Sequence, residues 1–95
     1  MLQGLTGECK LQLGRIVATR ALVELIPMEE VFKALDRHAT GDWGNLPLAD
    51  FKVNQKSITN NGRVMSRYLY RDELCFWVIT EGDRSLTSVV LESDY

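Results

Sequence analysis

Leu74-Cys75-Phe76-Trp77-Val78-Ile79-Thr80-Glu81 decides how this chain folds. It is a nearly continuous apolar run between two turn signals, Arg71-Asp72-Glu73 before it and Gly82-Asp83 after it, and it reads as a strand. Upstream, residues 63–70 set Val64, Ser66, Tyr68 and Tyr70 against Met65, Arg67 and Leu69, the period-two alternation of a half-buried strand. Downstream, residues 85–91 return with a second apolar run. Connections this short join antiparallel neighbours, so the three runs form a meander. The most apolar of them, 74–81, is expected at its centre, with helices covering one face.

The helices precede the meander. Met28, Val31, Phe32 and Leu35 repeat at i, i+3, i+4 and i+7, with Pro27 at the start, Glu29 and Glu30 in the first turn and Arg37 in the last. That pattern predicts a helix over residues 28–39 whose charges complement its dipole. Thr40-Gly41-Asp42-Trp43-Gly44-Asn45 is a loop by its glycines and turn formers. Pro47 opens a second helix with Leu48, Phe51, Gln55 and Ile58 near one face and Lys52, Lys56 and Asn60 away from it; Asn61-Gly62 closes it. Before both helices, residues 11–19 read as a short strand or extended arm, and Thr19 is placed to cap a helical turn from Arg20 to Leu25. The expected class is α+β: an N-terminal short strand and two helices on one face of a three- to four-stranded antiparallel meander. Residues 1–13 are an extended or loose N-terminal arm, and residues 14–95 are a single domain.

With 95 residues the chain holds one core. Its net charge of -2 and isoelectric point near 5.3 disfavour a surface built to hold nucleic acid by its phosphates. No apolar run approaches the roughly 20 residues of a membrane span, and residues 1–10 are too polar and mixed for a secretory signal. A cytoplasmic setting is expected. Cys9 and Cys75 lie far apart, Cys75 within an apolar strand, so no disulfide is expected. One histidine and two separated cysteines provide no metal-ligand spacing, and neither a metal nor a cofactor is expected.

Chemistry concentrates at one end of the meander. Antiparallel turns bring Thr80, Glu81, Asp83, Arg84, Ser85 and Thr87 together, with Arg63 and Ser66 of the first strand at the same sheet end. Two readings follow. In one, Glu81 or His38 moves a proton while Arg63 or Arg84 stabilises a developing phosphate charge. In the other, Asp83 and Arg84 satisfy a turn and Glu81 pairs with Arg63 across the sheet for about 0.2 to 1 kcal/mol. Sequence does not place His38, which closes the first long helix, where a histidine also complements the dipole. Trp77 reads as core and Trp43 as core or lid. Tyr68 and Tyr70 share a face, either under a helix or as an exposed aromatic strip for a partner.

Several of these residues also resemble a family. His38, Gly41-Asp42-Trp43-Gly44 and Leu46, then Gly62-Arg63, Ser66 and Tyr68, then Trp77-Val78-Ile79-Thr80-Glu81 with Asp83-Arg84-Ser85 and Thr87, and a closing tyrosine, are similar to a group of small bacterial proteins often encoded on plasmids, phages and other mobile elements and described only as plasmid-related. The likeness covers residues 14–95. The chain departs from the pattern in residues 1–13 and at Ser93, where a proline is expected. The resemblance implies a small non-enzymatic accessory protein of a mobile element that binds a protein partner, in host defence, restriction or partition machinery. The surface expected for it combines Asp42, Trp43, Arg63, Ser66, Tyr68, Glu81, Asp83, Arg84 and Thr87. A second likeness is architectural: helices followed by a meander look like barnase-like ribonuclease toxins, which implies a metal-independent ribonuclease using His38, Arg63, Glu81 and Arg84. The acidic charge balance counts against that alternative.

Overall fold

The computed structural model describes residues 11–95. Elements run in the order β1 (Arg15–Ala18), α1 (Arg20–Leu25), α2 (Met28–Ala39), α3 (Leu48–Asn60), β2 (Val64–Arg71), β3 (Leu74–Thr80) and β4 (Leu86–Leu91), followed by a 3₁₀ turn over Glu92–Asp94. This is an α+β fold with one four-stranded mixed sheet in the order β1-β4-β3-β2. β2, β3 and β4 form the antiparallel meander, and β1 joins β4 in parallel.

Local chemistry sets the boundaries. The Thr19 hydroxyl accepts from the Leu22 amide at 3.3 Å and caps α1. Proline stands at the N-cap of both α2 and α3. Asn61, at φ 61°, takes the left-handed conformation that closes α3. The residues before Arg15 belong to the packed body: Leu11 is buried, and the Leu13 carbonyl accepts from the Thr87 hydroxyl at 2.7 Å. The part of the N-terminal arm in residues 1–10, with Cys9, lies outside the described residues. Cys75 is a buried free thiol.

Strand alternation separates two faces. Val64, Ser66 and Tyr68 of β2 stand opposite Thr80, Val78 and Phe76 of β3, which in turn stand opposite Thr87, Val89 and Leu91 of β4. All nine are buried, on the face that the helices cover. Leu22, Ile26, Val31, Ala34 and Leu35 complete this core. On the opposite face Trp77 donates its indole N–H to Glu92 and stacks on Tyr95, so the C-terminal turn shelters the centre of the sheet.

Two helix faces differ from expectation. In α2 the buried residues are Val31, Ala34, Leu35, His38 and Ala39, while Met28 and Phe32 are exposed at 46% and 59%. Apolar positions span a wider arc than one sheet contact covers, and the small Ala34 and Ala39 let the helix approach on their side. In α3 the buried residues are Asn54 and Ser57, and Leu48, Phe51 and Ile58 are exposed. α3 meets the edge of β2 through hydrogen bonds: the Asn54 amide accepts from the Met65 N–H at 2.9 Å and donates to the Met65 carbonyl at 2.6 Å. A helix that docks on main chain turns a polar side chain inward.

Candidate functional site

The polar residues expected at one sheet end do share it, but alternation divides them between the interior and the rim. Ser66, Thr80 and Thr87 point under the helices and are fully buried, together with His38. His38 Nδ1 lies 2.5 Å from the Ser66 hydroxyl and Nε2 lies 2.8 Å from Thr80, whose hydroxyl is 2.7 Å from that of Thr87. Thr87 donates to the Leu13 carbonyl. A carbonyl only accepts, so Thr80 donates to Thr87 and His38 Nε2–H donates to Thr80. Burial, with the nearby Arg84 charge, lowers the His38 pKa to about 4, so at neutral pH the ring is the neutral Nε2–H tautomer and its Nδ1 accepts from Ser66. It is a satisfied interior group linking α2 to β2 and β3.

Arg84 adopts φ 63° in the β3–β4 turn and donates to the carbonyls of Gly62 at 2.7 Å, Ser57 at 2.8 Å and Glu81 at 3.2 Å. Its guanidinium closes the C-terminal end of α3 against the turn, where cationic donors match orphan carbonyls. Asp83 accepts from the Ser85 amide and hydroxyl, and these bonds hold its carboxyl below the usual range. Arg63 and Glu81 pair at 3.2 Å on the solvent rim, with side chains 52% and 37% exposed, a contact of about 0 to 1 kcal/mol.

The four residues named for a ribonuclease thus have separate tasks. His38 is sealed with both nitrogens bonded, Arg84 is bonded to three carbonyls, and Arg63 and Glu81 neutralise each other outside. Arg84 lines a depression with Asn61, Gly82 and Asp83, whereas His38 belongs to the cavity beside Trp43.

Residues 40–46 are likewise structural in large part. Asp42 pairs with Arg37 at 2.7 Å, which holds its carboxyl below the usual range, and the Arg37 guanidinium lies over the Tyr68 ring. Tyr68 is buried, and its hydroxyl donates to the Asp42 carbonyl at 2.7 Å; burial raises its pKa. Tyr68 does not form an exposed aromatic strip, because the side of β2 that carries it faces the helices. Trp43 is buried edge-on to Phe51, and its indole N–H has no hydrogen-bond partner among the described residues. With Ala39, Gln55 and Ile58 it lines a cavity of about 340 Å³. Of the nine residues expected on a binding surface, Trp43, Ser66, Tyr68 and Thr87 are buried, and the accessible polar rim reduces to Asp42, Arg63, Glu81 and Asp83 with part of Arg84.

The two edges of the sheet are treated differently. Along β2, the Arg67 amide donates to the Trp43 carbonyl at 3.2 Å, the Asn45 amide donates to the Arg67 carbonyl at 2.6 Å, and Asn54 saturates Met65. That edge is closed at Met65 and Arg67. Along β1, the amides of Arg15 and Thr19 donate to the carbonyls of Ser85, just before β4, and of Val89 in β4, so alternation turns the N–H and C=O groups of Ile16 and Ala18 outward. All four β1 residues are exposed, and among the described residues no strand pairs with their outer side. Beside this edge, Leu13, Ile16, Met28, Phe32 and Leu35 line an apolar groove of about 600 Å³, to which Asp36 contributes the one charged side chain among the described residues. Sequence reading placed Met28 and Phe32 in the buried stripe and so missed this surface. The available signal was an excess of apolar positions on α2 over what one face buries.

Among the described residues no helix is long and apolar enough to cross a membrane, and no cluster of three metal-ligating side chains occurs. Comparison with protein-family models, curated proteins and solved structures found no match.

Proposed function

We propose that the protein acts by binding a protein partner, and that it does so through the outer edge of β1 and the apolar groove between β1 and α2. The observation that carries this is the contrast between the edges: β2 is capped by Asn45, Trp43 and Asn54, whereas β1 presents main-chain groups that no described residue pairs, next to exposed Ile16, Met28 and Phe32. Folded proteins protect edges with charge, proline, bulges or covering segments, and an open apolar edge is a template for a further strand. Covering half-exposed side chains such as Ile16, Met28 and Phe32 contributes roughly 1 kcal/mol each, about half the value for full burial. A role as an accessory protein of a mobile element, supported by the resemblance of residues 14–95 to the plasmid-related group, is in keeping with action by docking. The Asp42, Arg63, Glu81 and Asp83 rim is left as a solvated surface.

Photo-crosslinking tests this reading. With benzoylphenylalanine at position 32, a defined adduct is expected in host cells, absent when the probe sits at position 52 on α3 and lost when Ala18→Pro is added. Absence of an adduct, equal adducts from both positions, or an adduct that survives Ala18→Pro would reject the β1 edge as the docking surface.

A further inference from the structure

We infer that the occupant of the β1 edge is a second copy of this chain, related to the first by a two-fold axis beside Val17, so that two four-stranded sheets join into one of eight strands. This rests on the docking reading above and names the partner. Self-complementarity carries it. In an antiparallel pair centred on Val17, Ile16 stands opposite the partner's Ala18 and Ala18 opposite the partner's Ile16. The Ile16 and Ala18 residues are the ones whose N–H and C=O groups face outward, so both pairs are hydrogen-bonded pairs and four new main-chain bonds form. On the helix-covered side a large residue meets a small one twice, and each Ile16 extends the groove formed by Met28 and Phe32.

Charges fit the same register. Arg15, the one charged residue of β1, stands opposite Thr19 rather than opposite its own copy, so no like charges meet across the seam. Arg20 opens α1 just beyond the paired residues, and Asp36, exposed on α2, lines the groove beside the seam. The Arg20 side chain is 91% exposed and meets Glu24 only at 3.8 Å, so it is available to the partner's carboxylate. The two-fold axis makes this contact twice. An isologous interface requires such a match of a surface with itself, and at this edge the apolar, hydrogen-bonding and charged groups all satisfy it together.

Sedimentation equilibrium of the full chain tests the inference. The expected mass is about twice 10.8 kDa, falling toward the monomer on dilution. Ala18→Pro removes an outward N–H without touching the β4 ladder, and Phe32→Glu charges the groove at an exposed position; both are expected to be monomeric with an unchanged circular dichroism spectrum. Arg20→Asp is expected to weaken the dimer about tenfold, and adding Asp36→Arg to restore most of that loss, since a tenfold change corresponds to about 1.4 kcal/mol. A wild-type monomer at every concentration overturns the inference, as does a dimer indifferent to Ala18→Pro or one that Asp36→Arg fails to rescue. If the chain is monomeric while the position-32 adduct forms with another protein and disappears with Ala18→Pro, the second copy is rejected and the docking surface stands. A monomer whose β1 amides are protected by its own chain rejects both.

Discussion

Between pH 6.5 and pH 4 the protein is expected to lose about 3 kcal/mol of folding stability through His38 alone. The folded pKa, about 4, lies below the value of 6.5 for a solvated imidazole. In that window the unfolded chain binds a proton that the folded chain excludes. The contribution is therefore complete above pH 6.5 and is lost as pH falls toward 4, with a slope approaching about 1.4 kcal/mol per pH unit. The physical cause is that a charged imidazole would have to be desolvated, close to the positive charge of Arg84. The paired carboxylates Asp42 and Glu92 are also held below their usual range, and their contributions fall away toward the acid end of this window and beyond it. Urea titrations of wild type and His38→Gln at a series of pH values separate the two effects, because the chain has one histidine. The variant is expected to be less stable at pH 7 and to lose the slope between pH 6.5 and 4.5. An equal slope in both proteins would show that the imidazole titrates normally and that the buried chain from Ser66 to Leu13 is wrong.

Gly44→Ala is expected to destabilise the fold by about 2 to 4 kcal/mol, the sum of left-handed strain on a non-glycine residue and overpacking. Gly44 holds φ 69°, and a methyl group there would lie 2.3 Å from the Arg67 carbonyl oxygen and 2.5 Å from the Tyr68 ring. Both obstacles belong to β2, so relief requires residues 43–45 to lift from its edge. That movement breaks the Asn45–Arg67 and Arg67–Trp43 bonds and draws the Asp42 carbonyl from the Tyr68 hydroxyl. For a domain of this size the change corresponds to a fall in Tm of at least about 10 °C, readable by calorimetry. A shift under about 2 °C would mean that the cap over β2 is loose, and the contrast between the two edges would lose its basis.

Much of the fold was legible because its signals are local. Pro27 and Pro47 at helix starts, Asn61 at a helix end, Thr19 as a cap and the alternation of Val64, Ser66 and Tyr68 each act within a few residues, and each element stands where these signals put it. What escaped depends on contacts between distant segments. Residues 11–19 read as a strand or arm, but nothing in them states that β1 joins β4 in parallel. His38 was not placed, since its partners Ser66 and Thr80 are 28 and 42 residues away. The polar end of the meander was recognised as a cluster, yet which members point inward follows from register, which puts Thr80 and Thr87 under α2 and leaves Glu81 outside. The faces of α2 and α3 were misassigned for a common reason. Apolar periodicity marks residues able to be buried, whereas Phe32 remains exposed because the sheet ends at β1, and Asn54 is buried because a strand edge requires a donor and an acceptor.

The most direct measurement is hydrogen exchange at the two sheet edges, resolved by residue and followed over a dilution series. Expected are slow exchange at Met65 and Arg67 at every concentration, and at Ile16 and Ala18 fast exchange in dilute samples that slows as the partner strand is added. Slow exchange at Ile16 and Ala18 regardless of dilution would contradict an open β1 edge and with it the docking surface, and fast exchange at Met65 and Arg67 would remove the contrast between the edges on which that surface rests.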